Sequence, residues 1–492
     1  MKDLKERALR GGLAKMCAQG ANYVVRIGTL AIMARLLNPK DFGLVGMVTA
    51  FTGVLSLFRD FGLSAATVQQ IDVTEEQIST LFWINMLIGV VLGLAAVAMA
   101  PVIAKFYQEP QLFGVTAVLA VAFFLNAAGT QHSALLQRQM RFTALAVISV
   151  ISLSVGTAIA IFGANAGYGY WAVVSMTVTP PIIATVGLWV TSGWIPGMPR
   201  KNAGIRSMMH FGGSLTLTGL LVYVGCNADK VIIGRFWGAD ALGVYGRAYQ
   251  IVNIPVANLN SAVGEVAFSA LSRLQDDPIR FRSYFLKGFS LVLGLTLPIA
   301  ILCALFADDV VFVLLGPKWG DAAAFVRLLA PTTAIFAIIN PLGWLVFALG
   351  WASRGLKAGP VLAGLMIAGY VTALPYGPKG VAFAYSAVLT LWVIPHIWWC
   401  VHGTAVSLRD ILVAVSRPLA SGISAGGLAF GVRLICGEFV SPLPRLVLEG
   451  SVLVVAFYGV LLFAAGQKSL YLDLLRGLKR PPSIEEKISV SA

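Results

Sequence analysis

The stretch Ile32-Met-Ala-Arg-Leu-Leu-Asn-Pro-Lys-Asp-Phe-Gly-Leu-Val-Gly46 returns 200 positions later as Ile232-Ile-Gly-Arg-Phe-Trp-Gly-Ala-Asp-Ala-Leu-Gly-Val-Tyr-Gly246. Ile32, Arg35, Gly43 and Gly46 recur unchanged as Ile232, Arg235, Gly243 and Gly246. Each copy closes one long apolar segment and opens the next, so the recurrence reads as an internal duplication. Many secondary transporters are built this way.

Composition places the chain in a membrane. A hydrophobic share of 58%, only 12% charged residues and a mean hydropathy of +0.82 exceed what a soluble domain needs. The net charge of +14 sits in short loops between apolar segments. There it is a topology signal, and a nucleic-acid partner is not expected. Cys17, Cys226, Cys303, Cys400 and Cys436 are odd in number and lack metal-ligand spacing, which makes them small core residues. No metal and no cofactor is expected. The first fifteen residues are mixed in charge and precede no short apolar core with a cleavage site, so the N-terminus is expected to be retained.

A spanning helix needs about 20 apolar residues. Fourteen segments qualify, at 13–37, 42–58, 80–104, 113–136, 143–163, 168–189, 208–237, 241–271, 285–306, 322–350, 358–374, 380–401, 411–434 and 446–465. With both termini cytoplasmic, 24 of the 36 lysines and arginines fall inside and 10 outside, leaving Arg26 and Lys230 within the membrane. That asymmetry obeys the positive-inside rule. The duplicated segments end spans 1 and 7, six spans apart, so the repeats are parallel.

The expected fold is therefore all-α, a polytopic membrane protein with two parallel six-helix repeats around a central cavity and two additional C-terminal helices. Its parts are an N-terminal lobe (1–199), a C-terminal lobe (200–406), helices 13 and 14 (407–466) and a cytoplasmic tail (467–492). Arg200, Lys201 and Arg206 mark the joint between the lobes. In the tail, Leu470, Leu474, Leu475 and Leu478 share one helical face, as an interfacial helix would arrange them.

Hydrocarbon cannot replace lost water hydrogen bonds, so a regular polar stripe on a spanning helix faces protein or water. Lys15, Gln19, Asn22, Arg26 and Thr29 form one face of span 1. Thr49, Thr52, Ser56 and Arg59 do so in span 2, and Asn126, Thr130, Ser133 and Gln137 in span 4. Spans 7 and 8 carry Asn227, Asp229, Lys230, Asn253 and Glu265. These stripes predict a hydrophilic cavity, with Arg26 and Lys230 as anion partners and Gln19, Asn22, Asn227 and Asn253 as further cargo contacts. Asp229 and Glu265 are the expected charge-coupling carboxylates. Asp229 and Lys230 point about 100° apart on a helix and do not pair, which suggests Arg26 as the partner of Asp229. His132 and His396 read as packed histidines.

Several segments carry a family resemblance. Ala-Arg-Leu-Leu-Asn-Pro-Lys-Asp-Phe-Gly (34–43), Asp-Phe-Gly-Leu-Ser (60–64), Asn-Ala-Asp-Lys-Val-Ile-Ile-Gly (227–234), Leu-Gly-Val-Tyr-Gly-Arg-Ala (242–248) and Phe-Ser-Ala-Leu-Ser-Arg-Leu-Gln (268–275) are similar to the polysaccharide transporter family. That family belongs to the multidrug, oligosaccharidyl-lipid and polysaccharide flippase superfamily, and the branch of colanic and teichuronic acid exporters looks most alike. The resemblance implies a flippase that moves a polyprenyl-pyrophosphate-linked oligosaccharide across the bacterial cytoplasmic membrane by alternating access. Polysaccharide polymerase machinery and membrane lipids are the implied partners. Arg26 resembles in position an arginine in the first helix of the related peptidoglycan-precursor flippases.

Two other readings compete. An ion-coupled drug or organic-cation antiporter of the same superfamily shares the fold, since fold does not fix cargo. Its cavity should be acidic, whereas here Arg26 and Lys230 balance Asp229 and Glu265. An enzyme is disfavoured, because no paired carboxylates, nucleophile with base or phosphate-cradling loop stands out.

Overall fold

The computed structural model describes the backbone of residues 2–59, 74–199, 206–351, 353–436 and 440–468, with Ser64, Thr67 and Tyr471. Side chains at 2–15, 206–219, 221, 261–262, 265–266, 353, 356 and 436 are outside the description. The tail's proposed interfacial face therefore falls outside the described residues.

Among the described residues the chain is all helical. Its helices are α1 (Lys2–Leu36), α2 (Pro39–Ser56), α3 (Glu75–Tyr107), α4 (Gln111–Arg138), α5 (Phe142–Asn165), α6 (Tyr170–Ser192), α7 (Arg206–Ser272), α8 (Pro278–Leu305), α9 (Ala307–Leu314), α10 (Ala322–Ala348), α11 (Ser353–Ala373), α12 (Gly377–Val401), α13 (Leu408–Cys436) and α14 (Pro442–Gly459). A π-helical turn at Val460–Ala464 prolongs α14. Nine stretches of the described residues are long and apolar enough to cross a membrane.

The expected spans 7 and 8 both lie in α7, which breaks at Gly238 with φ 79° and ψ −174°. Only glycine adopts that backbone without strain. The short α9 was not foreseen, since eight residues are too few to span and too apolar to read as a loop.

Helix starts follow local rules. Asn38 precedes Pro39 at the first turn of α2, and its backbone N–H donates to the Asp41 carboxylate at 3.1 Å. Thr74 accepts from the Gln77 amide at 3.3 Å while its own N–H donates to the Gln77 side chain at 3.1 Å, a capping box that opens α3.

The chain divides into two compact units that interleave along the sequence. The first comprises 1–251, 314–329 and 353–389. In it α3 packs on α4, α5 on α6 and α1 on α5. One cluster of contacts in it joins the two copies of the duplicated segment. The Trp319 indole donates to the Ala34 carbonyl at 2.8 Å, the Phe42 and Trp319 rings lie 5.6 Å apart, and the Arg247 guanidinium sits 4.0 Å from the centre of the Phe42 ring. Gly43 meets the backbone of Ala239, and Gly243 meets the backbone of Pro39. A shift of 200 turns one of these contacts into the other.

The second unit comprises 252–313, 330–352 and 390–492. Phe281, Phe285, Phe289, Leu342 and Ile411 are buried in one of its cores, and Leu297, Leu453 and Phe457 in another. Here α8 packs on α13, and two ion-pair clusters join helices of this unit, one between α8 and α13 and one tying α9 to α13 and α14. In the first, the Arg282 guanidinium grips Asp410 with bonds of 2.7 and 2.5 Å. In the second cluster, Arg445 of α14 donates to Asp309 of α9 at 3.1 Å, and Arg433 of α13 lies 3.6 Å from the same carboxylate.

The hydrogen bond from Arg282 holds the Asp410 carboxyl well below the usual carboxylate range. A carboxylate with a depressed native pKa adds stability that is whole above its unfolded value of about 3.9 and fades as pH falls through the lower native value. Asp410→Asn is therefore expected to lower the melting temperature of the purified protein at about pH 7, with a smaller deficit at about pH 3. A deficit that is equal at both pH values overturns this account of the pair.

Candidate functional site

Two polar regions lie in the first unit. The stripes of α1 and α4 converge on a cavity of about 600 Å³ lined by Gln19, Asn22, Arg26, Asn126, Ser133 and Gln137, with Ser149 and Ser152 from α5 and Pro180 and Pro181 from α6. Asn22 donates to Ser149 Oγ at 3.0 Å, which ties α1 to α5 at the cavity wall. Arg26 is exposed there and pairs with no carboxylate among the described residues. Its charge is left for something else.

Thr49, Thr52, Ser56 and Arg59 of the second stripe line a smaller space of about 220 Å³. Asn126 and Pro181 border both spaces. Pro180 and Pro181 also remove two backbone donors from α6, a loss a membrane helix tolerates where a polar cavity runs alongside. Three periodic stripes therefore line these adjoining spaces, whose surfaces offer two cations, Arg26 and Arg59, with amide and hydroxyl groups. That is a surface for an anion carrying many hydroxyls.

The second region surrounds the end of the first half of α7. Lys230 Nζ donates to Asn227 Oδ1 at 2.7 Å and lies 4.6 Å from the centre of the Tyr249 ring. Asn227 in turn donates to the Tyr223 carbonyl at 2.9 Å. Of the residues singled out in sequence, Lys230 and Asn227 are thus brought together, as are Gln19, Asn22 and Arg26.

Asp229 behaves differently from the expectation. It is fully buried and accepts a hydrogen bond from Tyr245, and its Oδ1 has no hydrogen-bond partner. Arg26 is not its counter-ion. The reason is the break at Gly238: 16 residues of continuous helix would separate Asp229 and Tyr245 by about 24 Å, whereas the turn folds the second half of α7 back on the first.

Asn253 is half-buried one turn beyond Tyr249 and belongs to the second unit. The Glu265 side chain lies outside the described residues. His132 is packed as expected, buried 4.4 Å from the Trp189 ring and bonded to Ser192 Oγ at 2.8 Å.

Sequence reasoning missed the tyrosines. Tyr245, Tyr370 and Tyr385 are fully buried, the Tyr249 and Tyr385 hydroxyls are 3.5 Å apart, and the Tyr370 hydroxyl donates to the Gly225 carbonyl at 3.4 Å. Counted as apolar, they vanish into the spans. The four-residue step from Tyr245 to Tyr249 was the available signal. Among the described residues, no group of three or more His, Cys, Asp or Glu could hold a metal ion.

Known proteins resemble the chain throughout. The teichuronic acid biosynthesis protein TuaB of Bacillus subtilis is 30% identical over 424 residues, covering 85% of this chain and 87% of that protein. The succinoglycan biosynthesis transport protein ExoT of Rhizobium meliloti is 25% identical over 484 residues, 95% of this chain and 94% of its own length. Among solved structures, the lipid II flippase MurJ in an inward closed conformation aligns with a TM-score of 0.71 over 95% of this chain and 100% of its own, at 13% identity. At that identity the likeness shows the fold alone. The family model described as "Polysaccharide biosynthesis protein" matches residues 32–324, from the first copy of the duplicated segment past the second, and this multi-pass membrane chain belongs to that family.

Proposed function

We propose that the protein is a flippase that carries a polyprenyl-pyrophosphate-linked oligosaccharide from the inner to the outer leaflet of the bacterial cytoplasmic membrane, for surface polysaccharide synthesis. The observation that carries this reading is the cavity in which Arg26, paired with no carboxylate among the described residues, stands among Gln19, Asn22, Asn126 and Gln137. Pyrophosphate needs a cation and sugars need amides and hydroxyls, while the polyprenyl tail can stay in lipid. Only the head group then has to cross.

The relatives' printed roles in teichuronic acid and succinoglycan biosynthesis support the same cargo class. The basic loops support cytoplasmic termini by the positive-inside rule. Lobes at 1–199 and 200–406 would alternate access, with helices 13 and 14 (407–466) and the tail (467–492) appended. The protein performs no chemistry on its cargo in this reading. It hands the flipped product to polysaccharide polymerase machinery on the far side.

A cation antiporter is the weaker reading because, among the described residues, no carboxylate lines this cavity, while Arg26 does. A charge-assisted hydrogen bond contributes about 1.5–3 kcal/mol, so Arg26→Ala is expected to cut export of surface polysaccharide roughly ten- to a hundredfold. Protein level and membrane insertion should be unchanged, since the side chain holds nothing else in place. Normal export by Arg26→Ala overturns the assignment, as does purified protein that binds a cationic dye in preference to a lipid pyrophosphate.

A further inference from the structure

In the second unit, α8, α13 and the segment after α14 enclose a groove of about 780 Å³. Four cations line it, Arg282, Lys287, Arg409 and Arg417, against a single carboxylate, Asp410. That carboxylate is already taken by Arg282. Lys287, Arg409 and Arg417 pair with no acid, so among the described residues the groove holds three uncompensated charges.

The arrangement is directional. Arg409, Val413 and Arg417 follow one another at helical spacing on α13 and span about 12 Å along its axis. Lys287 and buried Ser290 sit at matching depth on α8. Basic heads therefore alternate with the apolar walls of Leu286, Val413 and Ala414. Gln467, 4% exposed, closes the groove with a side-chain oxygen that has no hydrogen-bond partner. The two ends of an amide are told apart only by their hydrogen bonds, so this side chain is able to turn its NH2 toward an anion.

We infer that this groove binds the phosphate of an anionic phospholipid of the adjoining leaflet, with the acyl chains along the apolar walls. The site is separate from the cargo cavity, whose lining residues it does not share. A purely soluble anion would leave the apolar walls unused. The chain's own tail is a poor occupant, because its first part carries Lys468, Arg476, Lys479 and Arg480 against Asp473 alone, and this net positive charge would be repelled. Basic pockets between membrane helices are suited to lipid head groups on electrostatic grounds, and the interaction is local because salt screens it within about 8 Å.

The test is native mass spectrometry of the full-length protein in detergent, titrated with phosphatidylglycerol and with phosphatidylcholine of the same acyl chains. Wild-type protein should retain phosphatidylglycerol preferentially. Each basic residue contributes about fivefold to such binding, so Arg409→Gln with Arg417→Gln should lower phosphatidylglycerol affinity roughly twenty- to thirtyfold and bring the two lipids to near parity. Arg26→Ala, which does not line the groove, should keep the preference, and this arm separates the lipid site from the cargo reading. Equal retention of both lipids by wild-type protein overturns the inference, as does an undiminished preference in the double variant. Full displacement of phosphatidylglycerol by millimolar inorganic phosphate assigns the groove to a free anion and overturns the lipid occupant.

Discussion

Gly43→Ala is expected to reduce polysaccharide export below about a tenth of wild type, and Gly243→Ala to do the same. A Cβ on Gly43 would lie 1.7 Å from the Ala239 carbonyl oxygen, and one on Gly243 would lie 1.9 Å from the Pro39 carbonyl oxygen. Both obstacles are backbone, which cannot swing aside as a side chain does. One methyl group must therefore push two helix ends apart, and overpacking of this kind costs about 1–3 kcal/mol even where a core adjusts. The damage reaches function because Phe42, Trp319 and Arg247 are layered on the same point. Gly246→Ala is the control, since open space surrounds that position and alanine is the better helix former by about 0.5–1 kcal/mol. The measurement is complementation of a deletion strain, with membrane protein level and melting temperature in detergent followed in parallel. Wild-type export by Gly43→Ala overturns the account, and harm from only one of the two variants shows that the reciprocal contact is not used symmetrically.

That reciprocity marks how far the sequence could be read. The recurrence of Arg35, Gly43 and Gly46 at an offset of 200 is visible in the letters. That each copy's glycine rests on the other copy's backbone is a tertiary fact with no local signal. Span positions were legible because hydrocarbon thickness sets a length that apolar runs must meet, and every expected span falls on a described helix. The cavity around Arg26 was legible for a related reason: polar residues at steps of three and four must share a face, and such faces seek one another inside a membrane. The surroundings of Asp229 were not legible. Its partner Tyr245 lies beyond the turn at Gly238, and the tyrosines that enclose it look apolar in any hydropathy count. A buried carboxylate announces that a partner exists without saying which. Arg26 was the charge of suitable sign, but a neutral hydroxyl about two turns past the break at Gly238 met the need instead.

Tyr245→Phe is accordingly expected to destabilise the protein by about 2–3 kcal/mol, a large share of the stability of most folded chains. The residue is fully buried, so the phenylalanine ring fills the same space and the loss is that of the hydroxyl alone. Asp229 Oδ2 accepts from Tyr245 while Oδ1 has no hydrogen-bond partner, so removing the hydroxyl takes away the one side-chain donor this fully buried carboxylate has among the described residues. Buried polar groups stripped of partners lose about 1–3 kcal/mol, and more when charged. Lys230 does not replace the lost donor, because its ammonium is already bonded to Asn227 and set against the Tyr249 ring. Asp229→Asn should be milder, since its amide oxygen still accepts from Tyr245 and no charge is stranded. A double-mutant cycle isolates the bond: in the Asp229→Asn background, Tyr245→Phe should cost only about 1 kcal/mol, the worth of an ordinary neutral hydrogen bond. Melting temperatures of the four purified proteins in one detergent read the difference. An equal cost in both backgrounds means that Tyr245 stabilises the fold through packing rather than through Asp229, and the buried carboxylate then needs another partner to explain why it is there.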